Sequence, residues 1–312
     1  MNAAVPPLLV IAGATATGKT GLSIAVAEAL ASDGVTAEII SADSRQVYRG
    51  LDIGTAKAST ADRAGVPHHG IDLVEPDESF TLADFAAHAR EALARIASRG
   101  AIAILVGGTG LYLRAMARGI DTDALPSDAT LRASLEGDLK RDGLQHLVER
   151  LQTTAPRRAA RTDLRNPRRV VRALEIAELE GDRDAPPPRG YGGPVAWLGL
   201  SVDRGTHLEW IAKRARAQFS VGLVEEARAL RERFDPTLPA FSAIGYREAW
   251  AVIDGSMTIE AAVAEDARRN VGFAKRQGTW FRSEPGIVWL DAEDERATRV
   301  AALAEARDLL RP

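Results

Sequence analysis

Residues 13–20 read Gly13-Ala14-Thr15-Ala16-Thr17-Gly18-Lys19-Thr20, the pattern G-x-x-x-x-G-K-S/T. These residue types at this spacing suit one task, the cradling of phosphate. Gly13 and Gly18 permit a tight turn and let phosphate oxygens approach the backbone. The loop's N–H groups then point inward, and the start of a following helix adds partial positive charge. Lys19 supplies a point charge, and the Thr20 hydroxyl suits a magnesium ion. A diphosphate or polyphosphate is the expected ligand. The loop does not name the reaction, because kinases, NTPases and other diphosphate users share it.

Such a loop needs a strand before it and a helix after it, and the chain provides both. Residues 7–12 read as a buried strand and 19–31 as a helix. Residues 37–41 and 101–106 are further strands, and 80–98 has helical apolar spacing. Strands alternating with helices imply an α/β fold, a P-loop NTPase-like parallel sheet covered on both faces. Ligands in such sheets bind outside the carboxyl ends of the strands. After about Asp121 the signal turns helical and polar, without a convincing strand. The expected organisation is a core of 1–122 and 195–312 carrying an inserted all-helical domain, 123–194. One inserted helix is well punctuated: Asn166 caps it, Pro167 suits its first turn, and Gly181 ends it. Arg165, Arg168 or Arg169, and Arg172 then share a face, while Val171, Leu174 and Ala177 form an apolar stripe. Residues 184–194 read as a proline- and glycine-rich linker, 195–202 and 287–290 as strands, and the end as a helix.

Composition narrows the setting. The absence of cysteine excludes disulfides, thiolate zinc fingers and a cysteine nucleophile, and fits the cytoplasm. No apolar run approaches the roughly 20 residues that span a bilayer, and no signal peptide is evident. The net charge of -3 argues against coating nucleic acid everywhere but allows a focused basic groove. Two stretches could build one. Residues 157–172 carry seven arginines against Asp163 alone, and 268–282 carry four arginines and Lys275 with no acid. A solvated arginine surface is the plain alternative for each.

Further segments resemble the tRNA dimethylallyltransferase family, also called isopentenyltransferases. They are Ser41-Ala42-Asp43-Ser44-Arg45-Gln46-Val47-Tyr48, running on through Leu51-Asp52-Ile53-Gly54-Thr55-Ala56-Lys57; Val66-Pro67-His68-His69 with Ile71-Asp72; and Leu105-Val106-Gly107-Gly108-Thr109-Gly110-Leu111-Tyr112. Asn166-Pro167-Arg168-Arg169, Ala243-Ile244-Gly245-Tyr246-Arg247 and Ala274-Lys275-Arg276-Gln277 with Thr279-Trp280 follow in order, so the likeness covers nearly the whole chain. It implies transfer of the dimethylallyl group of dimethylallyl diphosphate to the exocyclic amine of adenine 37, in tRNAs reading codons that begin with U, with Mg2+. It implies the anticodon stem-loop as partner, with no membrane and no obligatory protein partner.

The resemblance also implies roles. Asp43 matches the family's general base for the amine, with a turn former or an outer magnesium ligand as alternatives. Lys19 and Arg214, the latter in an expected helix over 211–219, match cations on the leaving diphosphate. Thr109 matches a contact to the adenosine, and a helix cap is its other reading. Asp43, Ser44, Arg45 and Gln46 match the turn that reads the flipped base, and Arg168, Arg169, Val170, Val171 and Arg172 a segment touching the stem-loop; Arg132 is a weaker candidate.

His68 and His69 lack acidic partners at ligand spacing and read as loop packing rather than a metal site. Trp280, Phe281 and Trp289 read as core. The chain departs from the family where Thr-Arg usually precedes residue 273: here stand Asn270-Val271-Gly272, with Arg268 and Arg269 nearby. A small-molecule kinase and a nucleic-acid-binding nucleotide switch remain the other readings of the loop; neither accounts for residues 43–57.

Overall fold

Leu8, Leu9, Val10, Ile11 and Ala12 are all fully buried, because alternate side chains of a strand leave opposite faces and both faces here are covered. In the computed structural model, which describes residues 5–122, 126–184 and 186–311, this strand is β1 (Leu8–Gly13). It lies within a wholly parallel sheet of six strands in the order β3-β2-β4-β1-β5-β6. The others are β2 (Ala37–Ser41), β3 (His68–His69), β4 (Ile102–Gly107), β5 (Val195–Ser201) and β6 (Ile287–Asp291). The α/β class expected from strand–helix alternation is observed. Strand β3 was not expected: two residues carry no period, and the element exists only through pairing with Ile39 and Ile40.

Helices cover the faces. Leu9 and Ile11 pack with α1 (Lys19–Ser32) through Leu22, Val26 and Leu30. Leu8, Val10 and Ala12 share a second core with Phe85, Ala89 and Ile96 of α3 (Leu82–Ser98) and with Tyr112 and Leu113 of α4 (Gly110–Ala117); between these cores in sequence lies the short α2 (Thr60–Gly65). Each such buried Leu, Ile or Phe contributes about 1.5–3 kcal/mol.

The chain forms two units, 1–119 with 190–312, and 120–189. The smaller holds α5 (Ala129–Thr154), α6 (Pro156–Arg161) and α7 (Pro167–Glu180) around Leu135, Leu147, Leu151, Val170, Val171 and Leu174. Helix α7 has the expected punctuation: the Asn166 side chain accepts from the Arg169 N–H, Pro167 opens it, and Gly181 follows. Residues 123–125, where the insertion was expected to begin, and 185, in the expected linker, lie outside the described residues. The larger unit continues with α8 (Arg204–Ser220), α9 (Leu223–Arg233), α10 (Tyr246–Ile253), α11 (Ile259–Arg282) and α12 (Glu295–Asp308). Among the described residues, no helix is long and apolar enough to cross a membrane.

Candidate active site

The loop between β1 and α1 is shaped by its own side chains. Thr17 donates its hydroxyl to the Ala14 carbonyl at 2.9 Å, and Lys19 Nζ donates to the same oxygen at 2.6 Å. Gly18 sits at φ 82°, where glycine pays no Cβ penalty, and Ala16 is held at φ 61°. That strain at a non-glycine residue belongs to a loop over-determined by its surroundings. Those surroundings include Gln277 of α11, whose Oε1 accepts the Thr15 N–H at 2.8 Å while Nε2 donates to the Gly108 carbonyl at 3.0 Å. A Cβ at Gly108 would overlap the Gln277 amide, so any other residue there displaces this brace. The sequence alone assigns Gln277 no role; only the fold shows that it ties the phosphate loop to the turn after β4.

Two cations face the cavity of about 260 Å3 above this loop. Burial pulls the Lys19 ammonium down to about 8; Asp43 works against this and Arg214 adds to it. The Arg214 guanidinium, from α8, is likewise lowered by burial, opposed by Asp266 and Asp43. Neither has an ion pair among the described residues, and the Arg214 Nε is buried without a hydrogen-bond partner there. Two cations held together on backbone N–H groups form a site that a polyanion stabilises.

Asp43 follows β2 at the rim of this cavity. The Ala42 N–H donates to Val106 and the Ala42 carbonyl accepts from Thr109, so the ends of β2 and β4 are clamped side by side. The Asp43 Oδ1 accepts the Arg45 N–H at 2.8 Å, forming a local turn, while Oδ2 makes no hydrogen bond among the described residues. Thr109 stands at the N-cap position of α4 but does not cap it; its hydroxyl accepts the Ser44 N–H at 3.1 Å. A second cavity, of about 470 Å3, opens on the other side of this turn. It is lined by Ser44, Thr109 and the arginines Arg45, Arg268, Arg269 and Arg276. Thr15, Asp43, Thr55, Arg214 and Phe273 line both cavities, so the carboxylate stands where the two meet.

Several expected ligand contacts line these cavities and also bond within the fold. Gln46 accepts from the Ser41 hydroxyl at 2.8 Å and donates to the Thr55 and Ala56 carbonyls, so its amide braces its own loop. Arg45 donates to the Pro239 carbonyl at 3.0 Å. The rest of residues 51–57 is fixed by the Glu226 carboxylate, which accepts from the N–H groups of Asp52, Ile53 and Gly54, and by Lys57, paired with Asp52 and Asp72. His69, in β3 rather than a loop, pairs with Glu38 of β2 at 2.8 Å. His68 differs: it lines the phosphate cavity, its Nδ1 bound to the Val66 carbonyl and its Nε2 buried without a partner among the described residues. Phe281 is core and Trp280 packs partly against it, but Trp289 is 42% exposed, because β6 is an edge strand.

The smaller unit divides its arginines. Glu175 is fully buried and receives Arg132 at 2.9 Å and Arg172 at 2.7 Å. Those two guanidiniums hold an internal carboxylate, and removing either leaves Glu175 compensated by the other and by the Asp128 N–H alone. Val170 and Val171 are core, so their side chains are unavailable to a ligand. Arg168 and Arg169 are exposed and have no ion pair among the described residues. In the second basic stretch, Arg268 and Arg269 pair with Glu265 and Glu248.

Known proteins share both the sequence and the architecture. The model of the family described as IPP transferase matches residues 46–284. The tRNA dimethylallyltransferase of Symbiobacterium thermophilum is 43% identical over 289 residues, 91% of this chain and 89% of the relative. That of Thermus thermophilus is 42% identical over 92% of this chain and 94% of the relative. The crystal structure of the full-length tRNA isopentenylpyrophosphate transferase from Bacillus halodurans superposes with a TM-score of 0.70 at 36% identity, covering 97% of both chains.

Proposed function

This chain belongs to the IPP transferase family, the tRNA dimethylallyltransferases, and we propose how its own residues carry out the transfer. The donor, dimethylallyl diphosphate, places its diphosphate on residues 13–20, where Lys19 and Arg214 face it. The adenine enters through the arginine-lined cavity. Its exocyclic nitrogen meets the donor's first carbon at the junction that holds Asp43. The carbon–nitrogen bond forms, the carbon–oxygen bond to diphosphate breaks with its electron pair leaving on oxygen, and the amine proton passes to the Asp43 carboxylate. Lys19 and Arg214 stabilise the charge that grows on the leaving group. Thr109 orients the adenosine from the same turn.

Mg2+ fits this donor set. The Thr20 hydroxyl stands exposed at the first turn of α1 with no hydrogen bond among the described residues, and magnesium prefers oxygen ligands completed by phosphate and water. When bound, the ion neutralises diphosphate charge.

The observation that carries the reading is the carboxylate at the meeting point of a phosphate cavity and a basic cavity. The substrate base is adenine 37 in the anticodon stem-loop of tRNAs reading codons that begin with U, in the cytoplasm and without an obligatory protein partner. The deciding experiment incubates the protein with radiolabelled dimethylallyl diphosphate, Mg2+ and unmodified tRNA carrying adenines at positions 36 to 38. Label enters the tRNA and does not enter a transcript with guanine at 37. Phosphate transfer from ATP to a small acceptor, without label in tRNA, overturns the reading in favour of a kinase.

The exposed pair Arg168 and Arg169 binds stem-loop phosphates. Reversing both to Glu is expected to raise the tRNA KM about tenfold. The slope of log KM against log salt should flatten by about 0.7–0.9 for each phosphate no longer neutralised, with the donor KM unchanged. An unchanged salt slope removes these arginines from the interface. Arg172 is left out of that variant, because its reversal would set a second carboxylate against the buried Glu175.

A further inference from the structure

A guanidinium has five N–H donors and no acceptor, so a half-buried one keeps a single orientation only where acceptors fix it. For Arg214 that acceptor is Asn270 Oδ1, 2.9 Å from Nη2. Asn270 in turn donates Nδ2 to Asp266 Oδ1 at 2.8 Å and to the Asp266 main-chain oxygen at 3.1 Å. The amide has one satisfactory orientation: Arg214 offers only donors and the Asp266 oxygens only acceptors, so oxygen faces one and nitrogen the other. Asp266 and Asn270 lie one turn apart on α11 and are 1% and 5% exposed. The groups facing the Asp266 carboxyl are Glu248 from α10, Arg214 from α8, and Asn270 and Arg269 from its own helix. Burial, ahead of these neighbours, pushes it up to about 6. Its Oδ2 is buried without a hydrogen-bond partner among the described residues. For packing alone, an apolar side chain would fill this place without the desolvation cost.

We propose that Asp266 and Asn270 are positioning residues for the transfer, forming a relay that aims the Arg214 guanidinium so that its remaining N–H groups meet the leaving diphosphate. This rests on the reading of Arg214 as a diphosphate ligand. Asparagine suits the middle of the relay because it accepts on one side and donates on the other. Alanine there would leave the guanidinium without its acceptor, and aspartate would set two carboxylates together. The middle residue of the relay lies in the stretch Asn270-Val271-Gly272, where the chain departs from the family pattern.

The test is a double-mutant cycle on the full chain, with Mg2+-pyrophosphate binding measured by calorimetry and the donor and tRNA KM measured separately. Asn270→Ala is expected to weaken pyrophosphate about tenfold and to raise the donor KM by a similar factor, leaving the tRNA KM within about twofold. In an Arg214→Ala background the same substitution adds nothing further. Asp266→Asn still offers an acceptor to the Asn270 amide and keeps binding within about threefold. If Asn270→Ala does not fold, Asn270→Ser, too short to span both partners, is expected to give the same pattern. Normal pyrophosphate binding by Asn270→Ala, or an equal loss with and without Arg214, overturns the relay and leaves the proposed function standing. Normal binding by Arg214→Ala overturns the relay together with the diphosphate role of Arg214.

Discussion

Asp43→Asn is expected to lower the single-turnover rate of prenyl transfer by about 10^2–10^4, the range of general-base contributions, while tRNA and donor binding stay near normal. Asparagine is the informative replacement. The Asp43 Oδ1 accepts the Arg45 N–H at 2.8 Å, and an asparagine oxygen can do the same, so the turn that places Ser44 against Thr109 survives. What disappears is the basic oxygen at the junction of the cavities. The adenine amine has its lone pair delocalised into the ring and is a poor nucleophile, so the reaction depends on an acceptor for the proton released as the bond forms. Asp43→Ala would remove base and turn together and could not separate them. Were Asp43 instead an outer magnesium ligand, added Mg2+ would restore the Asn variant. An unchanged single-turnover rate would falsify the base assignment outright.

Lys19→Ala is expected to reduce kcat/KM for the donor by about 10^2–10^3, comparable to removing one donor that stabilises a developing anion. This lysine is half-buried, and desolvation, with Arg214 adding to it, pulls its ammonium down to about 8. Diphosphate reverses that balance and raises the value, so donor binding above pH 8 takes up a proton. The sign follows: the Lys19 contribution to donor affinity is constant below about pH 8 and weakens as pH rises through it, up to the higher value of the bound state. Lys19→Arg, which stays charged, should bind the donor with no such decline. A wild-type donor affinity that is flat from about pH 7 to 9.5, measured by calorimetry, would show that Lys19 does not titrate in the free site.

The phosphate loop, the strands flanking it and the helix beginning at Asn166-Pro167 could all be read from the chain. Their signals are local: glycines at fixed spacing, apolar runs of strand length, a cap followed by a proline. The resemblance added Asp43, Thr109 and Arg214, and the fold gathers these three with Lys19 around two joined cavities. Periodicity also placed arginines on one face of α7, but it has no means of saying which of them meets a buried acid. Arg172 meets Glu175 three residues on, but it is Arg132, 43 residues away, and the burial of Glu175 that only the fold supplies, whereas Arg168 and Arg169 remain in solvent. The same limit applies to Gln46, Gln277 and Asn270. A polar side chain on a loop or helix reads alike whether it reaches a ligand or braces a neighbouring backbone. Which of these it does depends on what lies opposite, for Gln277 a carbonyl 169 residues away. Local spacing therefore determined the kind of site and the elements that carry it. Which polar groups are held by the scaffold was decided by packing, because an unpaired buried donor or charge costs more than local propensity supplies.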